Sequence, residues 1–544
     1  MSINNYIEFK KKFSKNKDKK IKVDKFTKFI KDAISTNSDI KTTFRFVLLI
    51  SAIVSIIAQI ISFSDGLVFA YNDAGLHLDV ARRIYDSRDP GIINQIGIVW
   101  LPVPHLIYIP FVYFDFLWVT GLAGCIVGFI CFIISAGFLY KVIRMITGEN
   151  ISALLGTAFF VFNPNILYLY TTAMTEPIFL MFIILAIYHV LNWEKTELSG
   201  ELVRGGIVLG LASLTRYESW GYFLCLFFVV LLVAIFEKKK HPVKSLIYFS
   251  FVPILCIAWY LWLNYSLHGD VLTFQRGPYS SEFQVNLRYA SIGGAPYKHD
   301  IDKSLDILNT TLISNTGFVM AALAFTGLIL FLVKRKFSVY CLIPLAMLIF
   351  YILNLISLYY GQVAIETPKT IPKGYFQTRY VVGIIPGLCV FVGFFFTIIK
   401  EINYKIVAFC IFIFIEFMSW YIVWPMGVPA IGEAKTAIML SQPFRRTSNF
   451  LKTYYDGGNI LYDDFSIIFF AGTGIPMKDR IHEYTWDVGN QAMNKPSTVV
   501  RWVLFNKMNP NDKIYIAMKN NLDFTENFKL MYNDEGIEVY KRKF

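Results

Sequence analysis

The sequence predicts a polytopic α-helical membrane protein of about eleven transmembrane helices, with a small C-terminal α/β domain outside the cytoplasm. Three observations predict it. The 544 residues are 55% hydrophobic with a mean hydropathy of +0.49, beyond the range of an ordinary soluble domain. Apolar runs long enough to cross a bilayer recur along the chain, Phe46 to Phe63, Gly221 to Phe236 and Ile406 to Trp424 among them. Lys and Arg gather in alternate short loops, the pattern that marks cytoplasmic turns.

The first 44 residues form a basic arm. Lys10, Lys11, Lys12, Lys15, Lys17, Lys19 and Lys20 precede the first span and place the amino terminus in the cytoplasm. Membrane-surface attraction accounts for most of the net charge of +13, so no nucleic acid is expected as a partner. No cleavable signal peptide precedes the first span, which itself serves as the targeting signal.

Spans are predicted at 45–63, 118–143, 151–167, 176–192, 203–217, 219–236, 246–265, 315–333, 338–360, 380–399 and 406–424. Counted alternately, the loops with Lys141/Arg144, Lys238/Lys239/Lys240, Lys334/Arg335/Lys336 and Lys400/Lys405 all face the cytoplasm. The membrane domain is 45–424, with outer loops at 64–117 and 266–314. In the polar parts of those loops, 64–99 and 266–311, ten acids oppose seven bases. All seven cysteines lie inside predicted spans without metal-ligand spacing and read as packing residues.

Within the first outer loop, Ala74 to Asp86 alternates apolar and charged residues at helical spacing, as an interfacial helix would. Trp100 to Tyr113 is apolar but holds Pro102, Pro104 and Pro110, so it is placed at the interface or as a re-entrant piece. The tail, 425–544, falls outside the cytoplasm by parity. Its strands are predicted at Asn459 to Phe470, Lys513 to Met518 and Gly536 to Tyr540, with a helix over Pro496 to Asn506.

Polar residues at the outer ends of spans carry the functional information, because an ionisable group at membrane depth is costly unless paired or used. Asp73 follows the first span in Tyr-Asn-Asp-Ala-Gly-Leu-His, with His77 one helical turn on. Glu176 opens the fourth span just before Pro177, and two carboxylates meeting at an interface suit deprotonation and orientation of an acceptor. Each would also serve as a helix cap or dipole partner. Arg216 in Leu-Thr-Arg-Tyr-Glu and Arg379 in Gln-Thr-Arg-Tyr reach the same face, where a guanidinium fork can hold a phosphate. A snorkelling arginine, or a local pair of Arg216 with Glu218, is the plainer reading of either. Arg82, Arg83 and Arg276 are weaker candidates of that type. A divalent cation could use Asp73 and His77, but two ligands do not make a site, and no metal is assigned.

Walker A, dinucleotide, HExxH and GxSxG patterns are all absent, which removes support for ATP-driven transport, redox chemistry and common hydrolases. Few charges fall near the middle of a predicted span, Glu416 being the main exception, which disfavours an ion relay.

Taken in order, these pieces resemble the GT-C class of membrane glycosyltransferases over roughly residues 45 to 400. The pieces are Asp73 after the first span, the interfacial helix, Trp-Leu-Pro-Val-Pro-His, Met-Thr-Glu-Pro, Leu-Thr-Arg-Tyr-Glu and Arg-Tyr-Val-Val-Gly-Ile-Ile-Pro. The layout is most similar to the branch of protein O-mannosyltransferases and the lipid A aminoarabinose transferase, which carry a soluble domain after the last span. The resemblance implies transfer of a sugar from a polyprenyl-phosphate donor to a glycan, lipid or protein acceptor outside the cytoplasm, with inversion. It implies Asp73 as base or acceptor-orienting group, Glu176 as the second acid, and Arg379, Arg216 and His105 near the donor phosphate, with His77, Arg83 and Tyr380 in support. The lipid-linked sugar is the donor substrate; no cofactor is assigned, and a divalent cation at Asp73 and His77 stays open.

Two departures stand out. Leu-Pro-Val-Pro-His replaces the Lys and Pro-Pro-Leu of relatives at His105, and Asn72-Asp73 replaces the Asp-Glu pair of protein mannosyltransferases, so a protein acceptor does not carry over. Thr485-Trp486-Asp487-Val488-Gly489 is similar to the Trp-Trp-Asp-Tyr-Gly motif of oligosaccharyltransferases, without that family's first-loop pattern. The rival class is a transporter or lipid flippase, which would place its polar site near the midplane rather than at one face.

Overall fold

The computed structural model describes residues 39–544 apart from 89–94, 96–98, 238–240, 278–279, 368–374, 424–427 and 465–469, with residues 27, 28, 30, 32 and 33 of the arm. The lysine run of the basic arm and the Lys238–Lys240 loop lie outside the described residues.

In chain order the membrane portion is built from α1 (Ile40–Ser64), α2 (Asn72–Arg83), α3 (Pro102–Val112), α4 (Leu122–Thr147), α5 (Asn150–Val161), α6 (Glu176–Thr196) and α7 (Ser199–Ser213). It continues through α8 (Glu218–Phe236), α9 (Pro242–His268), α10 (Ile301–Thr316), α11 (Phe318–Lys334), α12 (Val339–Tyr359), α13 (Thr378–Phe395) and α14 (Ile402–Val423). Among the described residues, eight of these helices are long and apolar enough to cross a membrane, and α10 with α11 makes a ninth if that bent pair is one span. The protein is therefore a multi-span membrane protein. The predicted spans at 151–167, 203–217 and 315–333 fall on the shorter helices α5, α7 and α11. Trp100 to Tyr113 yields the 11-residue α3, opened by Pro102 where a missing N–H is harmless.

Helix α1 buries small and polar side chains against its neighbours and turns bulky apolar ones outward, the reverse of a helix in a water-soluble bundle. On α1, Ile53, Ile56, Ile57, Ile60 and Ile61 are exposed, whereas Ser51, Ser55 and Ser62 are buried. Close approach at the helix crossings depends on absent side chains. A Cβ at Gly327 of α11 would collide with the Phe391 carbonyl of α13.

Between α10 and α11 the chain turns by 104° at Gly317, whose φ is +84°. The freed N-terminus of α11 would leave amides unmet away from water. Glu416 of α14 meets them, accepting hydrogen bonds from Val319 N at 2.9 Å and Met320 N at 3.2 Å. The main mid-span charge is thus a helix cap.

After α14 come α15 (Pro429–Leu440) and α16 (Gln442–Tyr454), then a five-stranded sheet. Its strands are β1 (Ile460–Leu461), β2 (Arg480–Ile481), β3 (Trp502–Asn506), β4 (Phe528–Asp534) and β5 (Ile537–Arg542), in the order β2-β1-β3-β5-β4. β1 pairs in parallel with β2 and β3, and β5 runs antiparallel to β3 and β4. Two tail expectations are corrected. Lys513–Met518 is a helix, because Asp512 caps it by accepting from Tyr515 N at 2.8 Å. The helix expected over Pro496 to Asn506 stops at Val499, and Trp502–Asn506 becomes the central strand β3, where its bulky apolar side chains are buried on both faces. Of the strand expected over Asn459 to Phe470, Ile460–Leu461 forms, and 465–469 lie outside the described residues.

Candidate active site

Four chain segments meet around the Arg379 guanidinium. Asp73 lies in the first turn of α2, where an acid favours the helix dipole, and Glu176 opens α6 ahead of Pro177. Arg379 belongs to the 3-10 turn that begins α13, and Arg216 to the short link between α7 and α8. Arg379 Nη2 lies 2.8 Å from Asp73 Oδ2, its Nε 3.3 Å from Glu176 Oε1 and its Nη1 3.2 Å from Glu433 Oε1. Every nitrogen of that guanidinium faces a carboxylate. Arg216 Nη1 approaches Glu176 Oε1 at 2.9 Å, and Nη2 approaches Glu218 Oε1 at 2.7 Å. Arg216 thus makes both the local pair with Glu218 and a long-range one. Tyr380 lies beneath both arginines, its ring centroid 5.2 Å from the Arg216 guanidinium and 5.3 Å from that of Arg379.

Exposure separates the two acids. The Asp73 side chain is 38% exposed and that of Glu176 only 2%, so Asp73 is the carboxylate an incoming group can reach. Glu176 Oε2 is buried and accepts no hydrogen bond among the described residues. It lines a small cleft together with Phe179, Arg216, Glu218, Phe350 and Tyr380.

His77 and His105 form a second, adjoining pair. His77 Nδ1 is 3.0 Å from His105 Nε2, both rings are buried, and Trp100 packs on His77 with centroids 4.2 Å apart. Burial pushes the His77 imidazole down to about 3, and the charges of Arg379 and Arg216 push the same way. Arg83 touches neither Asp73 nor Glu176 among the described residues; its charge acts instead on Tyr462 and His482 of the tail. Among the described residues no three His, Cys, Asp or Glu side chains are placed to share a metal ion.

Sequence reasoning missed Glu433. This buried acid on α15 accepts from Gln377 N at 2.7 Å and Thr378 N at 3.3 Å as well as pairing with Arg379. Burial pushes its carboxyl above the usual range, while Arg379 and those amides pull it back. The signal was present: one acid inside the apolar stretch Pro-Ala-Ile-Gly-Glu-Ala directly after a span.

Residues 108–262 match a family described as dolichyl-phosphate-mannose-protein mannosyltransferase, a segment that includes Glu176 and Arg216. In fold the chain is similar to ArnT from Cupriavidus metallidurans bound to undecaprenyl phosphate, with a TM-score of 0.57 at 10% identity over 91% of this chain and 97% of that one. The apo form of that ArnT gives 0.50 at 11% identity over 86% and 92%. The apo oligosaccharyltransferase of Archaeoglobus fulgidus gives 0.47 at 12% identity over 92% and 74%. No curated protein matches the sequence.

Proposed function

We propose that this chain is a GT-C-class membrane glycosyltransferase that moves a sugar from a polyprenyl-phosphate donor to an acceptor on the outer side of the membrane, with inversion. The observation that carries the reading is Asp73, an accessible carboxylate anchored by Arg379 beside a cleft that Glu176 and Arg216 line. In the step we assign, the acceptor oxygen forms a bond to the anomeric carbon as the anomeric carbon–phosphate oxygen bond breaks. The electron pair leaves on the polyprenyl phosphate, and the acceptor proton passes to Asp73. Displacement from the opposite face inverts the centre.

Arg216 is the more accessible guanidinium, 12% exposed against 5% for Arg379, and we assign it to the departing phosphate. Glu176 assists, its Oε1 holding both guanidiniums in register. The amino terminus is assigned to the cytoplasm, and the site with the tail domain to the opposite side. A transporter would set its polar groups near the midplane, whereas these gather at helix ends.

The test is transfer by purified protein in lipid, supplied with radiolabelled polyprenyl-phosphate sugars and cell-envelope extract as acceptor. A positioned base is worth about 10²- to 10⁴-fold in rate, so Asp73→Asn should lose that much while remaining folded in the membrane. Transfer by Asp73→Asn at the wild-type rate would remove Asp73 from the mechanism. Consumption of no donor by folded wild type would favour transport instead.

A further inference from the structure

We propose that Glu433, contributed by the segment that follows the last span, is a positioning residue that holds Arg379 and through it sets the place of Asp73. The inference rests on the reading of Asp73 as the group that receives the acceptor proton.

The case begins with the backbone at the start of α13. Gln377 has φ of +49°, a left-handed conformation that a residue with a side chain adopts only when its surroundings hold it there. What holds it is the Glu433 carboxylate. Oε1 accepts from Gln377 N at 2.7 Å, and Oε2 accepts from Thr378 N and from Thr378 Oγ1, each at 3.3 Å. From the other side, Asn315 Nδ2 donates to Thr378 O at 2.8 Å. The turn that launches Arg379 is therefore clasped between α10 and α15.

The same carboxylate then reaches the guanidinium. Glu433 Oε1 takes Arg379 Nη1 at 3.2 Å, which leaves Nη2 directed at Asp73 Oδ2 at 2.8 Å, with Tyr71 packed against the guanidinium at 4.8 Å. A guanidinium is planar, so fixing one edge fixes the direction of the others. Asp73 itself is more than a third exposed and lies on the first turn of a short helix, so this contact is what restrains its carboxylate. Glu433 is in turn anchored. Ala430 N donates to Asn165 Oδ1 at 2.9 Å, and Tyr71 OH donates to Ala430 O at 3.2 Å, fixing the first turn of α15.

The experiment uses full-length protein in lipid, with Glu433→Gln, Glu433→Asp, Arg379→Lys and the Glu433→Gln/Arg379→Lys double variant. A misplaced reacting group costs up to about 10²-fold in rate, so Glu433→Gln should lower kcat by about ten- to a hundredfold with the donor KM within about twofold. Glu433→Asp, which keeps the charge, should recover part of that loss. Added to Arg379→Lys, Glu433→Gln should lower kcat little further, because both act through one guanidinium. Hydrogen exchange supplies a readout independent of turnover: amides in 376–384 should exchange faster in Glu433→Gln while the melting temperature stays near that of wild type.

Unchanged exchange in 376–384, a loss carried by donor KM alone, or a fully multiplicative loss in the double variant overturns the proposal. Wild-type transfer by Asp73→Asn overturns the role given to Asp73 instead, and the exchange result then decides whether Glu433 holds Arg379.

Discussion

His77 shows what burial beside two arginines does to a single residue. Its imidazole, held down to about 3, stays neutral in the folded protein through the range between 6.5 and about 3 in which the unfolded chain takes up its proton. The stability it contributes is present above 6.5 and is lost as pH falls from there toward 3, because only the unfolded state takes up the proton. At pH 4.5 that amounts to about 2–3 kcal/mol. His77→Gln keeps a polar partner for His105 and removes the titration, so its apparent melting temperature between pH 7.5 and 4.5 should fall less than that of wild type. Equal falls in the two proteins would mean that His77 titrates normally. The spacing of Asp73 and His77 suggested one shared face, and the structure shows why spacing alone does not decide partners. Asp73 turns to Arg379 from another span, and His77 turns to His105.

At the scale of elements, hydropathy located apolar runs well, because the bilayer imposes that composition on any span. It could not report the bend between α10 and α11. Ile301–Thr316 carries Asp302, Lys303, Asp306 and a polar run ending in Ser314, Asn315 and Thr316, and it belongs to the loop by composition. Its junction with α11 exists through Gly317 and Glu416, residues about a hundred positions apart. Gly317→Ala should therefore be poorly tolerated. Its φ of +84° strains any side chain by about 1–3 kcal/mol, and a Cβ there would run into the Glu416 carboxylate that caps α11. Melting and gel filtration in detergent should show a less stable, less monodisperse protein than wild type. A variant that melts like wild type would show that the turn relaxes without consequence. The tail errors have local causes of the same kind: Asp512 turns a strand-like Lys513–Met518 into a capped helix, and pairing with β1 and β5 draws Trp502–Asn506 into the sheet.

On the scale of the molecule, the parity of the predicted spans sets Asp73, Glu176, Arg216 and Arg379 on one face. No count of spans could bring in Glu433, which reaches the site because α15 packs against α10 and the turn that opens α13. The tail is joined to the membrane domain at α2. Arg480 of β2 donates to Asp79 Oδ2 at 2.6 Å, its other nitrogens donate to Ile475 O, and Trp118 Nε1 donates to Asp79 Oδ1 at 2.8 Å. Both side chains are almost fully buried, so the pair is isolated from water and salt. Removing one partner of such a pair leaves an uncompensated charge and costs about 3–5 kcal/mol, whereas replacing both by apolar residues of similar size is often neutral. Asp79→Ala should accordingly lower the melting temperature and raise proteolytic cleavage of the tail, while Asp79→Leu with Arg480→Met should recover much of both. Because Asp79 and Asp73 share α2, the single variant should also slow transfer, and the double variant should restore it in step with stability. A double variant as unstable as the single one would show that the charges themselves, rather than the seating of the tail on α2, hold this junction together.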